Sequence, residues 1–204
     1  MALDELLDEH EQGERVRAWL RNNGAALLMG VVLGLGAIFG WKWWQQAQLE
    51  DRIAESAEYQ KAVVTIESGE LDAAAAEAAA LDAAPYDTLA AMRLAQAQVN
   101  AGQAEEAIAT LRGTSADHSA LEKVVQLRLA RLLLDTGKPE DALSLLADAN
   151  QPVGLELRGD AEAALDRRDA AQASYTRALD ALEPEAPQRR LLEIKRSAVG
   201  GTPP

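Results

Sequence analysis

A stretch of 20 uncharged residues, between Arg21 and Lys42, constrains this chain more than any other feature. Within it, residues 24–41 are almost wholly apolar. A helix of about 20 residues spans the roughly 30 Å hydrocarbon core of a bilayer, whereas the core of a signal peptide has about 7 to 15 residues. No small-x-small cleavage pattern follows the stretch. The sequence therefore predicts an uncleaved, single transmembrane helix over residues 22–44.

The residues that flank this span agree with the assignment and indicate its orientation. All four tryptophans of the chain lie at its ends, where indole rings prefer the lipid–water interface. They are Trp19, Trp41, Trp43 and Trp44. Three arginines within residues 15–21 precede the span, and two basic residues follow it within a comparable distance. Because cytoplasmic flanks carry the excess of basic residues, we expect the acidic arm 1–21 in the cytoplasm and the part after the span on the other side of the membrane. For a bacterial inner membrane, that side is the periplasm.

Two pairs of glycines inside the span have the spacing of close helix–helix contacts. Gly30 and Gly34 form one pair, and Gly36 and Gly40 the other. Small residues four apart let a second membrane helix approach the backbone. Glycine is also common in membrane helices that make no such contact, so both interpretations stay open.

Composition excludes several classes of function. The formal net charge is −13, so the chain lacks the basic surface on which nucleic-acid binding depends. Cysteine is absent and only His10 and His118 supply imidazole, which leaves little material for a metal site or a Ser/His/Asp triad. No nucleophile elbow, P-loop or zinc-protease motif occurs. We therefore expect no enzyme, no cofactor, no metal and no small-molecule substrate, and expect proteins as partners.

An internal repeat follows the span. A glycine precedes an alanine by five positions at Gly69, Gly102 and Gly137, with spacings of 33 and 35 residues. Asp166 takes the place of this glycine in a fourth unit. A small residue lies seven positions before each of these four, at Ala62, Ala95, Ala130 and Gly159. This pattern resembles the tetratricopeptide repeat, a helix pair of about 34 residues with small residues at the helix crossing. A plain helical bundle is the alternative.

The repeats predict an all-α fold, in which a tetratricopeptide-like solenoid of about four helix pairs and a capping helix occupies residues 45–199. The tail 200–204 is expected to be disordered. The first helix should continue the membrane span to Ser68. The others are predicted at Leu71–Asp82, Thr88–Ala101, Ala104–Leu111, Leu121–Thr136, Glu140–Ala147, Val153–Leu165, Ala170–Leu182 and Pro187–Val199.

The first helix of each pair lines the concave side in repeats of this kind, which predicts a protein-binding face. Counting from the small residue at each crossing gives nine inward positions, of mixed polar and apolar character. They are Tyr59, Met92, Gln96, Asn100, Leu127, Arg131, Asp135, Glu156 and Asp160. Such a surface suits protein segments, although several of these side chains could instead pack between neighbouring pairs.

The junction between arm and span, residues 17–24 followed by the glycine-rich span and Trp41-Lys-Trp-Trp44, carries a more specific resemblance. Together with the segment 57–63 and the repeats, it is similar to the YfgM-type ancillary subunits of the bacterial SecYEG translocon. The resemblance implies a single-pass inner-membrane protein whose periplasmic repeats associate with SecYEG and with periplasmic chaperones, as an interaction module in protein export. An envelope scaffold or regulatory adaptor, serving cell division or stress signalling, is the alternative.

Overall fold

A computed structural model describes residues 2–82, 84–114 and 119–200, and it describes side chains in these ranges from residue 13 onward, except that of Ser119. His10, His118 and the tail 201–204 lie outside the described side chains or residues. The described ranges are helical and contain no strand, which confirms the all-α prediction. The helices are α1 (Ala2–Ser68), α2 (Leu71–Ala79), α3 (Tyr86–Asn100), α4 (Ala104–Gly113), α5 (Ser119–Asp135), α6 (Pro139–Leu145), α7 (Pro152–Ala164), α8 (Arg168–Asp180) and α9 (Arg189–Ala198). Every predicted helix is present, and the ends lie within three residues of those predicted, except that α1 begins at Ala2, within the arm, rather than at residue 22.

The chain divides into two compact units, residues 1–54 and 55–204. In the first unit, α1 contains an 18-residue window of mean hydropathy 2.0 with at most two charged residues, none of it buried. Large apolar side chains such as Leu28, Val32 and Phe39 are 65–68% exposed. Such side chains would be shielded from water in a bilayer. Helix α1 is therefore long and apolar enough to cross a membrane, as predicted.

The second unit is a series of helix pairs closed by tight turns. Gly69, Gly102 and Gly137 adopt positive φ angles of 83°, 80° and 73°, and Asp166 does so in the fourth pair with φ 56°. The same backbone hydrogen bond, from an N–H to the carbonyl five residues earlier, closes the turns after α3, α5 and α7. In the turn after α3, Gln103 N–H donates to the carbonyl of Gln98 at 2.8 Å. This bond satisfies a carbonyl that the helix end leaves free. The predicted equivalence of Asp166 to the three glycines is confirmed.

Small residues lie where the two helices of each pair cross. Ala62, Ala95, Ala130 and Gly159 on the first helices, and Ala74, Ala107, Ala142 and Ala171 on the second, are all buried. In the fourth pair Tyr175 lies against Gly159, so that a Cβ on Gly159 would come within 2.5 Å of Cε1 of the ring. The second and third pairs have leucine where α8 has Tyr175, and alanine where α7 has Gly159. A large ring and an absent Cβ compensate for each other in the fourth pair.

A polar contact recurs three residues after these crossing positions. The Thr110 hydroxyl donates to Oε1 of Gln98 at 2.8 Å, and the Ser174 hydroxyl donates to Oε2 of Glu162 at 2.6 Å. Gln98 and Glu162 are 6% and 4% exposed, so both bonds satisfy buried polar groups.

The same two positions are filled differently in the other two pairs. The first pair has Thr65 and Glu77 there, and Lys61 Nζ lies 2.8 Å from Oε1 of Glu77. Lys61 and then Thr65 hold the pKa of Glu77 below its usual value. The third pair has two leucines, Leu133 and Leu145. Three of the four pairs therefore carry a polar side chain on both helices at this level.

Candidate protein-binding face

Three adjoining grooves run between the first helices of successive pairs. One lies between α1 and α3, one between α3 and α5, and one between α5, α7 and α9, with volumes of about 560, 370 and 400 Å³. Gln96 lines the first two grooves, and Arg131 and Asp135 line the second and third. We call this continuous surface the groove face.

Seven of the nine predicted binding residues line the groove face. They are Met92, Gln96, Asn100, Arg131, Asp135, Glu156 and Asp160. Gln96, Asn100, Arg131 and Asp135 are exposed, whereas Glu156 and Asp160 are partly buried. Met92 is only 6% exposed and also belongs to the hydrophobic core.

The remaining two predicted residues lie elsewhere. The Tyr59 ring packs against Tyr86 with centroids 5.3 Å apart and contacts the core of the first pair. Leu127 borders a different pocket, which also contains Ala149 and Gly154. Both side chains are partly buried and help to pack neighbouring pairs, which is the other role that the sequence left open.

A lysine that sequence reasoning did not select lies at the end of the groove face. Lys195 Nζ of α9 lies 2.7 Å from Oε1 of Glu156 and 2.7 Å from Oδ2 of Asp160. The Tyr175 hydroxyl donates to Oδ1 of the same aspartate at 2.8 Å. The position of Lys195 depends on how α9 packs, and the repeat pattern gives no signal for it.

The electrostatics of this cluster keep its charges paired. Burial by itself lowers the pKa of Lys195, but the hydrogen bonds and charges of Asp160 and Glu156 outweigh it, so the pKa lies above its usual value. Burial, and then the Asp160 carboxylate, raise the pKa of Tyr175. At neutral pH the Lys195 side chain therefore stays an ammonium and the Tyr175 side chain a neutral phenol.

Arg131 and Asp135 differ from this cluster, because neither forms an ion pair within the described residues. They are one helical turn apart on α5 and border two grooves. Exposed charges of both signs beside apolar side chains such as Val99 and Leu134 can form hydrogen bonds and apolar contacts with a polypeptide. Among the described residues, no group of three carboxylates or imidazoles is arranged to hold a metal ion.

The four glycines of the predicted membrane contact lie on an open helix surface. A Cβ added to Gly30, Gly34, Gly36 or Gly40 would have no neighbour within 4 Å in the described structure. The backbone of α1 is thus accessible at all four positions.

Comparison with known proteins agrees with this architecture. An ancillary SecYEG translocon subunit of Escherichia coli (strain K12) is 38% identical over 114 residues, 55% of this chain and 55% of that protein. A protein of the same description from Haemophilus influenzae is 28% identical over 64 residues, 31% of each chain. The matched part thus spans about half of the first relative and a third of the second. The resemblance predicted from the sequence is confirmed.

A family model described as a tetratricopeptide repeat-like domain matches residues 17–201, nearly the whole chain. The tetratricopeptide pattern predicted from the glycine and alanine spacing is therefore confirmed, and the plain helical bundle is excluded. This family and the relatives point to a role in protein interaction. The chain belongs to the tetratricopeptide repeat-like domain family.

Proposed function

We propose that this chain is a membrane-anchored protein-interaction module of a bacterial inner membrane that associates with the SecYEG translocon. The arm 1–21 is cytoplasmic, residues 22–44 span the membrane, and the repeat domain 45–199 is periplasmic, where it connects export to periplasmic chaperones. The observation that carries the proposal is the combination of an apolar, exposed helix α1 with a continuous groove face in a chain whose relatives are named translocon subunits.

The groove face supports binding of protein segments rather than catalysis. Its exposed residues combine amide, guanidinium and carboxylate groups, which can hydrogen-bond a polypeptide backbone and side chains. Because the grooves adjoin, a segment can contact more than one helix pair. In this proposal Gln96, Asn100, Arg131 and Asp135 contact the partner directly, and the Lys195 cluster closes the far end of the surface.

Orientation is tested by reporter fusions to the full chain after Pro204. A periplasm-only reporter should be active there, and a cytoplasm-only reporter inactive, because basic residues are in excess before the span. The reverse pattern would place the repeats in the cytoplasm and overturn the periplasmic part of the proposal.

Association is tested by purifying the full chain in mild detergent and quantifying the proteins that accompany it. Translocon subunits should be the main species, with periplasmic chaperones beside them. Recovery of cell-division or signalling proteins without translocon subunits would instead favour the envelope adaptor. Replacing Arg131 and Asp135 with alanine should reduce recovery several-fold if the groove face binds these partners.

A matched control separates the groove face from a general effect of surface charge. Arg177 and Asp180 are an exposed pair of the same charges on α8, outside the three grooves. Replacing both with alanine should leave recovery unchanged. Equal losses in the two double variants would show that the groove face has no special role.

A further inference from the structure

Helix α9, the last helix that the structure describes, packs with one face only. Leu192 is 1% exposed and contacts the core formed by α7 and α8, and the Arg189 guanidinium donates to the carbonyl of Leu179 at 2.8 Å. Leu191 and Ile194 are 53% and 59% exposed. Since residues three apart share a helix surface, these two side chains form one apolar strip, which the exposed Ala198 extends. We call Arg190, Leu191, Ile194 and Ala198 the end face.

No other described side chain of α2–α9 is a large apolar one exposed to this degree. Among the described residues of those helices, the remaining exposed ones, such as Val153 and Leu145, are 37–44% exposed. A solenoid helix on which nothing stacks ordinarily has a polar outer face. The end face is instead apolar at the position where a further helix would stack.

Charge selects among the molecules that could cover the end face. Helix α9 has four cationic residues and one acidic residue, whereas the whole chain has a net charge of −13. A second copy would bring two basic helices and two acidic domains together. An anionic bilayer would repel residues 45–204, whose net charge is −11. A helix is narrow enough to face α9 alone, so an acidic helix from a different protein would meet the basic residues of α9 without facing the acidic remainder of the domain.

The solenoid itself shows how its neighbouring helices combine apolar and ionic contacts. Between α4 and α6, Arg112 pairs with Asp141 at 2.6 Å, beside the buried Leu111 and Ala142. A basic side chain on one helix and an acidic one on the next thus flank an apolar contact. Arg190 is exposed one turn from Ile194 and forms no ion pair within the described residues. The end face likewise places a basic side chain, Arg190, beside apolar ones, and it lacks only the acidic side chain of a following helix.

We propose that the end face docks an acidic amphipathic helix of a partner protein, which stacks on α9 as the next helix of the solenoid. Leu191 and Ile194 provide the apolar contact, and Arg190 pairs with a carboxylate of the partner. None of the four residues of the end face lines the groove face, so the proposal can be tested separately from the proposed translocon role.

The test uses the absence of cysteine from the chain, which makes a single introduced thiol a unique labelling site. The full chain carrying Ala198→Cys is labelled with an environment-sensitive dye and placed in nanodiscs of neutral lipid. The probe is a synthetic peptide of residues 69–82, an alanine-rich helical segment with four acidic residues and no basic one. The control peptide has lysine at those four positions.

The acidic peptide should shift the dye emission to the blue in a saturable manner, and the lysine peptide should bind at least several-fold more weakly. Ile194→Asp should abolish the shift, because it places a charge in the apolar contact. Arg190→Glu should weaken binding about two- to five-fold, as expected for loss of an exposed ion pair. Val153→Asp, on an exposed apolar residue of α7, should have no effect.

Three results would overturn the proposal. Equal binding of both peptides, or no binding of either, would remove the acidic helix as the occupant. A blue shift that grows with protein concentration and disappears with Ile194→Asp would identify a second copy. A blue shift that occurs without peptide when the neutral lipid of the nanodisc is replaced with anionic lipid would identify the membrane surface as the occupant.

Discussion

The close contact between Gly159 and Tyr175 predicts that Gly159→Ala destabilises the protein when Tyr175 is present and stabilises it when Tyr175 is replaced with leucine. A Cβ at position 159 would lie 2.5 Å from Cε1 and 2.7 Å from Cδ1 of the ring. The ring is 3% exposed and its hydroxyl donates to Asp160, so it cannot move away at small cost. Overpacking costs about 1–3 kcal/mol, and contacts this short belong in the upper part of that range, at about 2–3 kcal/mol, whereas Gly→Ala inside a helix gains about 1 kcal/mol. We expect Gly159→Ala to destabilise the domain by about 1–2 kcal/mol.

The expected outcome changes when the ring is removed. Tyr175→Leu should by itself cost about 2–3 kcal/mol, because it removes a hydrogen bond and leaves a cavity. In that background Gly159→Ala should stabilise by up to about 1 kcal/mol, since it recreates the alanine and leucine combination of the second and third pairs. The coupling between the two substitutions is therefore about 2–3 kcal/mol.

Thermal unfolding of the four full-length proteins in mild detergent, followed by far-UV circular dichroism, measures this cycle. For domains of about 150–250 residues, 1 kcal/mol corresponds to roughly 2–4 °C in Tm. The Tm should fall with Gly159→Ala alone and rise when the same change is added to Tyr175→Leu. Ala130→Gly, at the equivalent position of the third pair, is the control and should lower the Tm. If Gly159→Ala lowers the Tm equally in both backgrounds, the ring contact is not the reason for glycine.

Three further predictions concern a buried hydrogen bond, a tyrosine and the membrane helix. Thr110→Val should cost about 1–3 kcal/mol because it leaves the buried Gln98 unpaired, whereas adding Gln98→Leu should restore most of the Tm; equal Tm values for the single and double variants would contradict this. Because the pKa of Tyr175 is raised on folding, a proton is held more tightly in the folded state, so this residue's contribution to stability should be lost as pH rises above about 10. Alkaline unfolding of Tyr175→Phe should therefore show a shallower pH dependence, and an unchanged slope would refute it. Replacing Gly30 and Gly34 with leucine should preserve insertion but weaken co-purification with translocon subunits several-fold, since one such contact contributes on the order of 1 kcal/mol; unchanged association after exchange of the whole span for polyleucine would show that the glycines are incidental.

The fold was predictable because its main determinants are local. The length of the uncharged stretch between Arg21 and Lys42 predicts the membrane helix. The interval of five residues from the glycine in the turn to the alanine at the helix crossing predicts each helix pair. Asp166 could be placed in a turn because the interval to Ala171 is unchanged. Helix ends were less certain, as with α2, which stops at Ala79 rather than at Asp82.

The candidate site was predictable only where it follows the repeat. Gln96, Arg131 and Asp160 occupy the position directly after a crossing residue, and all three line the groove face. The positions of Lys195 and of the end face depend on how α9 packs against α7 and α8, which the spacing of the repeats does not encode. They are defined only by the three-dimensional packing of the helices.

The recurring polar contact between paired helices restricts how this solenoid can be rearranged. Exchange of whole helices between repeats is compatible with this contact only between some positions. Helix α8 in place of α4 would bring Ser174 to where Thr110 stands and would keep a hydroxyl for Gln98. Helix α6 in the same place would bring Leu145 and leave the buried amide without its partner. The repeats are therefore of two non-interchangeable kinds, so recombination within this array would be limited to helices whose side chains match at a single position.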